Sequence, residues 1–165
     1  MPPNTVLLSG HPFYPQTCVA GEASITPGML LTFGTGGDAG RLMKHATAAG
    51  NAIAMFAVEN VTPDRSVATA PIDTPYADLE SMKWIIARPG DELYAWVPAS
   101  ATAVVKGSLL VSNGDGTLKL YVPQASNEGG TATYTIQTQP VVAMAAEAVD
   151  NSAVGTPSRI RVYAV

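Results

Sequence analysis

From residue 27 onward, the sequence alternates short runs of β-type residues with turns made of Gly, Pro, Asn and Asp. The run Glu92–Val97, for example, directly follows the turn-forming segment Pro89–Asp91. Short apolar and β-branched runs that end at such residues predict strands rather than helices. The predicted strands are Met29–Phe33, Ala52–Val58, Lys83–Ala87, Glu92–Val97, Ser108–Ser112, Thr117–Val122, Thr131–Gln137, Val141–Val149 and Arg159–Val165.

The segment Asn113–Gly116 lies between two of these runs. Asn-Gly and Asp-Gly steps tolerate positive φ, and they are the strongest short-range signal for a β-hairpin. We therefore expect Ser108–Ser112 and Thr117–Val122 to be neighbouring antiparallel strands.

Helical signal is weak. Arg41–Ala49 and Tyr76–Ser81 could each form one or two turns, but neither is long enough to be helical without tertiary support. The predicted fold is all-β, a barrel or sandwich-like arrangement of small β-barrel or β-tulip-like units with short strands and little helix.

Residues 1–26 are predicted to form an extended N-terminal arm. Proline fixes φ and removes a backbone donor, so its recurrence argues against helix and central strand. The prolines are Pro2, Pro3, Pro12 and Pro15, and the aromatic residues Phe13 and Tyr14 lie between the last two. The arm either docks on its own domain or reaches a neighbouring molecule, and the sequence leaves both open.

Two halves of the chain share an order of features: a strand, a Gly/Asp turn and a strand of small apolar residues. The corresponding segments are Gly28–Leu31 and Ala57–Asn60 in the first half, and Gly107–Leu110 and Ala148–Asn151 in the second. This order predicts two β-units, 27–98 and 99–165, packed on each other. Chance similarity between Ala-, Val- and Gly-rich strands is the alternative.

Charged residues make up only 13% of the chain, against roughly 25% in an average soluble domain. A surface built largely from Ala, Thr, Ser and Gly suits burial against other chains, and a compact monomer with a neutral surface is the alternative. The net charge is −4, and the cations are scattered singly between Arg41 and Arg161. Nucleic-acid binding needs clustered cations, so it is not expected.

Cys18 is the only cysteine, which excludes an intramolecular disulfide and a cysteine-based zinc site. It is expected to be a small, buried apolar side chain. The first residues lack the pattern of a signal peptide, and the longest apolar run falls short of the ~20 residues of a membrane helix. We expect no membrane association, and a cytosol-like compartment or a particle assembled there.

Candidate catalytic residues are few. Neither His11 nor His45 has a second histidine or a carboxylate at metal-ligand spacing, and each is expected to be a surface or turn residue. A catalytic triad converges only in space, but the nucleophile-elbow motif that would favour one is missing from the sequence. The chain is therefore not expected to be an enzyme.

Three further groups of residues could be interpreted either as ligand-binding sites or as ordinary loops and surface residues. The loop Gly34–Gly40 lacks the ending of a phosphate-binding loop, and a flexible hairpin tip is expected. Asn113–Gly116 begins like a calcium loop but has too few carboxylates after it, so a turn is expected. The acidic residues are expected to form a solvated rim rather than a cation site; they are Asp78, Glu80, Asp91 and Glu92. No cofactor or metal is expected.

Trp84 and Trp96 flank the Pro89–Asp91 turn. On adjacent strands they could stack on a sugar, but we expect them to fill the core of a small β-fold.

Four segments together resemble the capsid decoration (cement) proteins of tailed phages, and more loosely the lambda-type head decoration protein. The segments are Pro27–Leu30, Asn51–Asn60, Arg88–Glu92 and Arg159–Val162. The resemblance runs from about Pro27 to the C-terminus. It departs from the small lambda-type protein in the second β-unit after Pro98.

The resemblance implies a virion protein that is made in the bacterial cytoplasm and binds the outer surface of the expanded capsid. It implies a homotrimer whose partner is the major capsid protein, and whose role is to bridge and stabilise capsomers. The alternatives are another virion β-protein, such as a tail-tube component or a head-fibre base, then a carbohydrate-binding module with weak host-surface or glycan contact, and last a hydrolase.

Overall fold

The structure is a computed structural model that describes residues 4–10, 15–60, 70–99, 103–127, 132–136, 139–151 and 155–165. It is nearly all β, as predicted. The strands are β1 Leu7–Ser9, β2 Gln16–Val19, β3 Leu31–Phe33, β4 Leu42–Lys44, β5 Met55–Val58, β6 Ser81–Ile86, β7 Glu92–Val97, β8 Leu109–Ser112, β9 Leu118–Leu120, β10 Gln124–Asn127, β11 Ala132–Ile136, β12 Ala143–Ala145 and β13 Ser158–Ala164. Single 3₁₀ turns lie at Gly36–Asp38 and Pro71–Asp73.

A six-stranded antiparallel sheet is the largest element, with the strand order β1-β7-β13-β12-β8-β9. Its longest strand pair is β7–β13, whose register runs from Ser158 opposite Val97 to Tyr163 opposite Glu92. The smaller sheets are β2-β6-β5, β3-β4 and β10-β11. The sheets are not closed into a barrel, which corrects the barrel part of the prediction.

The three-stranded sheet is buried on both faces, which explains the unbroken apolar run of β5. Phe56 and Ile85 pack in the main core on the inner side of the six-stranded sheet. Met55 and Met82, from the same two strands, pack in a second core beneath the β3–β4 hairpin. A strand with both faces covered needs no polar alternation.

The six-stranded sheet, by contrast, has one buried face. In β7 and β13, every second residue lies in the main core and the residues between them are half-buried or exposed. The inward residues are Leu93, Ala95, Val97, Ile160, Val162 and Ala164. This alternation is the pattern of a sheet with one face open.

Residues 41–49 correct a second expectation. Instead of a helical turn, this segment contains β4, which pairs with β3, and Leu42 is fully buried in the second core. Pairing with β3 outweighs the weak local helical preference, because the strand buries Leu42 while a surface turn would not. Residues 76–81 form a tight turn, with the Glu80 amide donating to Ala77, and β6 starts at Ser81.

The described parts of the N-terminal arm dock on their own domain. β1 pairs with β7, β2 pairs with β6, and the Glu59 carboxylate accepts hydrogen bonds from the Thr5 hydroxyl and the Val6 amide. Pro2, Pro3, Pro12, Phe13 and Tyr14 lie outside the described residues. The division into units 27–98 and 99–165 stays a prediction, and the six-stranded sheet takes strands from both sides of it.

The hairpin predicted at Asn113–Gly116 is confirmed, since β8 and β9 pair across it. Its turn packs tightly against the segment after β4: a Cβ atom at Gly114 would lie 2.7 Å from the Ala48 backbone nitrogen. Gly114 has a φ of +92°, and Gly90 has nearly the same φ of +91° with nothing within 4 Å of its would-be Cβ. The two glycines therefore form a matched pair for separating backbone strain from steric contact.

We expect Gly90→Ala to lower the free energy of unfolding by about 1 kcal/mol, the cost of an L-residue at positive φ. Gly114→Ala should cost about 1 kcal/mol more, because the backbone of the turn must also move away from Ala48. Urea denaturation of both variants beside the unchanged protein measures the difference. Equal losses in the two variants would mean that the contact with Ala48 relaxes freely.

Candidate functional site

One row of side chains crosses four strands on the open side of the six-stranded sheet. Tyr163 on β13 lies opposite Glu92 on β7 and Met144 on β12, and Met144 lies opposite Leu109 on β8. Directly opposite residues share a face of the sheet. The next pair along is Tyr94 with Arg161. We call these residues the outer face: Glu92, Tyr94, Leu109, Met144, Arg161 and Tyr163.

Side chains of the outer face are half-buried or exposed, while strand neighbours such as Leu93, Ala143 and Val162 lie in the main core. Leu109 is 40% exposed, and Tyr94, Met144 and Tyr163 are half-buried. Tyrosine, methionine and arginine are enriched at protein–protein interfaces, because they provide large contact area with few charges. This composition makes the outer face the best candidate for a binding surface among the described residues.

The one cation of the outer face, Arg161, lies beside two carboxylates. The Nε of Arg161 donates to a Glu147 oxygen at 2.9 Å, and a guanidinium nitrogen lies 3.9 Å from a Glu92 oxygen. The hydrogen bond to Glu147 raises the pKa of Arg161, and burial raises the pKa of Tyr94. Arg161 is therefore a paired cation and Tyr94 a neutral phenol at neutral pH. One guanidinium lies beside two carboxylates, so this group of charges keeps a single net negative charge.

At the other end of the β7–β13 pair, the side chain of Arg159 covers Trp96. The guanidinium carbon lies 4.1 Å from the centroid of the Trp96 ring, and Nη1 lies 2.5 Å from an Asp73 oxygen. Nε donates to the Pro27 carbonyl at 3.2 Å, and Nη2 donates to the Ile72 carbonyl. Trp96 also donates from Nε1 to Pro27 at 2.9 Å. Arg159 thus joins β13, the 3₁₀ turn at residues 71–73 and the backbone at Pro27.

The two tryptophans do not form a sugar-binding platform. Trp84 is buried in the second core, with its ring edge-to-face against Phe33 at a centroid distance of 5.7 Å. Trp96 lies in a different sheet and is covered by Arg159. The expectation of a core position is confirmed for Trp84, and Trp96 is half-buried under a cation.

His45 is buried, so its expected surface or turn position is wrong. Its Nδ1 lies 2.7 Å from the Ser112 hydroxyl oxygen, and its Nε2 lies 2.9 Å from the Asn51 carbonyl oxygen. The carbonyl can only accept, so Nε2 carries a proton, and in the neutral imidazole Nδ1 accepts from the Ser112 hydroxyl. Ser112 is fully buried, so this serine–histidine pair ties β8 to the segment after β4 and is closed to a substrate. His11 lies outside the described residues.

The four acidic residues singled out in the sequence do not converge. Asp91 is buried, and its carboxylate accepts from the Arg88 amide at 2.6 Å, which corrects its expected place on a solvated rim. Glu80 accepts from the Ala77 amide at 2.7 Å, Asp78 is exposed and Glu92 belongs to the outer face. Across the described part of the chain, no group of three or more potential metal-ligating His, Cys, Asp or Glu side chains is found.

Asp115 holds the β8–β9 turn together. Burial acts to raise the pKa of its carboxyl group, but hydrogen bonds from Thr117 and Asn113 outweigh burial and lower that pKa. The Thr117 amide donates at 2.9 Å and the Asn113 side-chain amide at 3.1 Å. The carboxylate is used within the turn, in agreement with the prediction of a turn rather than a calcium loop.

The Gly34–Gly40 loop is the connection of the β3–β4 hairpin, as expected. Asp38 in its 3₁₀ turn pairs with Arg41 at 2.8 Å. The Cys18 thiol lies 3.1 Å from the Gly40 carbonyl oxygen and is half-buried, whereas full burial was expected. Within the described ranges, no helix is long and apolar enough to cross a membrane.

Neither a protein-family model nor a curated protein matches this chain. The structure shows an all-β protein whose largest sheet has an accessible, tyrosine-containing face of low net charge. Sequence reasoning did not identify this face. The alternation within β7 and β13 marks the outward residues of each strand, but only the register brings Met144 and Leu109 beside Tyr163.

Proposed function

We propose that this chain is a structural virion protein that binds the outer surface of an expanded phage capsid and stabilises it by bridging capsomers. The observation that carries the proposal is the outer face, a sheet surface of low net charge with Tyr94, Met144 and Tyr163 at its centre. Interface cores combine large aromatic or sulfur-containing side chains with few free charges. The resemblance to capsid decoration proteins supports the same assignment.

The scarcity of free charge on the chain also supports this proposal. Several of its cations have an internal partner: Arg41 pairs with Asp38, Lys44 with Glu22, and Arg159 with Asp73. A surface of this kind recognises its partner by shape and apolar contact, and long-range charge contributes little. Binding should therefore vary little between low and high salt, since only exposed unpaired charges are strongly screened.

A capsid-bound role does not require a single strong contact. A protein that binds the assembled lattice, but not free capsid subunits, stabilises the lattice by mass action. In a homotrimer, the second and third capsid contacts form at high effective concentration once the first has formed. The proposed assembly is therefore three copies of this chain on the major capsid protein at three-fold positions.

The test is cosedimentation of the purified protein with expanded, undecorated heads, followed by cryo-electron microscopy. The expected result is density at the outer three-fold positions and heads that resist higher temperature. Absence of binding, together with rings or tubes formed by the protein alone, would assign it to the tail instead. A tail-tube protein forms an open polymer, while a decoration protein stops at a small closed oligomer.

A further inference from the structure

The tight turn that precedes β6 presents a leucine to solvent. Leu79 is 58% exposed, and its φ of +61° lies in the left-handed region, which a bulky L-residue rarely adopts. Its amide donates to the Ala20 carbonyl at 3.0 Å, and the Ala20 amide donates to the Glu80 carbonyl at 2.9 Å. These hydrogen bonds hold the turn against the end of β2 and leave the leucine side chain outside both cores.

Neither the exposure nor the backbone conformation of Leu79 stabilises the isolated chain. Glycine adopts this φ without strain, and a polar side chain is better solvated. Backbone strain of this kind is concentrated at functional sites of proteins. Asp78 and Glu80 on either side are exposed, and neither forms an ion pair with a described residue. The turn is therefore an apolar projection between two carboxylates, and we call it the Leu79 knob.

An open apolar pocket lies at the C-terminal end of β7, with an empty volume of about 290 Å³, part of it continuous with solvent. Val97 and Leu118 are buried in the main core at its base. Its other apolar lining residues are Pro98, Val104, Leu120 and Val149. Small-molecule sites usually enclose ~300–1,000 Å³, so this pocket suits the end of one apolar side chain better than a ligand.

The rim of the pocket is cationic. Lys119 is the one charged residue in its described lining, and it forms no ion pair with any described residue. Asn151 also reaches the pocket, but its amide donates to the Pro98 carbonyl at 3.2 Å and to the Ser158 hydroxyl at 2.8 Å. The pocket therefore complements the Leu79 knob both in apolar surface and in the sign of its charge.

We propose that the Leu79 knob of one copy binds the pocket of a second copy, and that repetition of this contact closes a ring of three. Asp78 and Glu80 then lie beside Lys119 of the next copy, which is charge complementarity at the rim of an apolar contact. The knob and the pocket have no residue in common, so each copy uses both at once. A heterologous contact of this kind forms a ring when its rotation closes.

The ring is compatible with the capsid role, because no residue of the outer face belongs to the knob or to the pocket. The number of copies rests on the homotrimer of the proposed function, whereas the contact itself rests on the knob and the pocket alone. The inference therefore names the interface through which the homotrimer forms.

The experiment is sedimentation velocity of the full-length protein over a range of concentrations, without heads. We expect the unchanged chain to form a trimer and no larger species. Leu79→Gly and Lys119→Glu should each raise the concentration needed for association roughly tenfold or more, since each removes an anchor of the contact. Ile53→Gly is the control, because Ile53 is an apolar residue of similar exposure, 66%, outside the knob and the pocket. It should associate as the unchanged protein does.

Mixing the two variants identifies the head-to-tail arrangement. Leu79→Gly keeps an intact pocket and Lys119→Glu keeps an intact knob, so the mixture has one productive contact per pair. We expect a one-to-one dimer that does not close into a ring. A monomeric unchanged protein, a trimer that survives both changes, or a mixture without a dimer would each overturn the proposal.

Urea denaturation checks the fold of both variants. Leu79→Gly should keep the urea midpoint, because glycine relieves the strain at positive φ. If Lys119→Glu unfolds, Asp78→Lys tests the same charge pairing from the exposed turn, and association unchanged in it and in Leu79→Gly would overturn the proposal. Head binding is scored separately. A monomer that binds heads would overturn this inference and leave the proposed function intact, whereas the expected ring without head binding would support the inference and overturn the capsid role.

Discussion

Replacing Met144 with lysine or with glutamate is expected to weaken binding to expanded heads by roughly thirtyfold or more, because each change buries a charge at an interface centre. Met144 lies between Tyr163 and Leu109 on the outer face. A charge at this position keeps its water in the free protein and loses it in the complex. Both signs of charge should therefore be harmful, since the cost arises from desolvation and not from attraction or repulsion.

Cosedimentation with undecorated heads measures this loss, and urea denaturation checks that both variants remain folded. Ile53→Lys is the matched control, since Ile53 is a 66% exposed apolar residue outside the six-stranded sheet. It should bind as the unchanged protein does. Full binding by both Met144 variants would place the capsid contact elsewhere. A loss with only one of the two charges would point to electrostatic recognition in place of an apolar contact.

The sequence pattern predicted a strand well wherever turn-forming residues precede and follow it. β7 has the predicted limits, Glu92–Val97, because Pro89–Asp91 precedes it and Pro98 follows it. The β8–β9 hairpin was also predictable, since its positive-φ glycines are encoded in four consecutive residues, 113–116. In both cases the information that fixes the structure lies within a few residues of it.

The remaining features depend on contacts between residues far apart in the sequence. The burial of His45 depends on Ser112, 67 positions away, and no local pattern marks that partner. The outer face needs the register of β13 against both β7 and β12, which is set by the packing of two sheets against a common core. A one-residue shift in that register would turn the tyrosines inward, so composition alone could not place them.

Arg159→Ala is expected to lower the free energy of unfolding by about 3 kcal/mol, the sum of a lost cation–π contact and lost charged hydrogen bonds. The Arg159 side chain is 7% exposed, so water cannot readily replace it. Its removal leaves the Ile72 carbonyl and the Trp96 ring without the cation that joins them to β13. Arg159→Lys should recover part of the loss, because an ammonium can pair with Asp73 but cannot also reach the two carbonyl acceptors and stack on the ring.

Urea denaturation of both variants checks this, with Arg41→Ala as the control. Arg41 forms an ion pair with Asp38 across one exposed turn, and such surface pairs contribute ~0–1 kcal/mol. A loss in Arg159→Ala no larger than that of Arg41→Ala would show that the Trp96 stack adds nothing to stability. The Arg159 and Met144 variants should also differ in kind. Arg159→Ala lowers stability and, at temperatures where it is folded, still binds heads, whereas the Met144 variants stay stable and lose binding. That opposite behaviour separates a residue that stabilises the fold, Arg159, from a residue of the proposed binding surface, Met144.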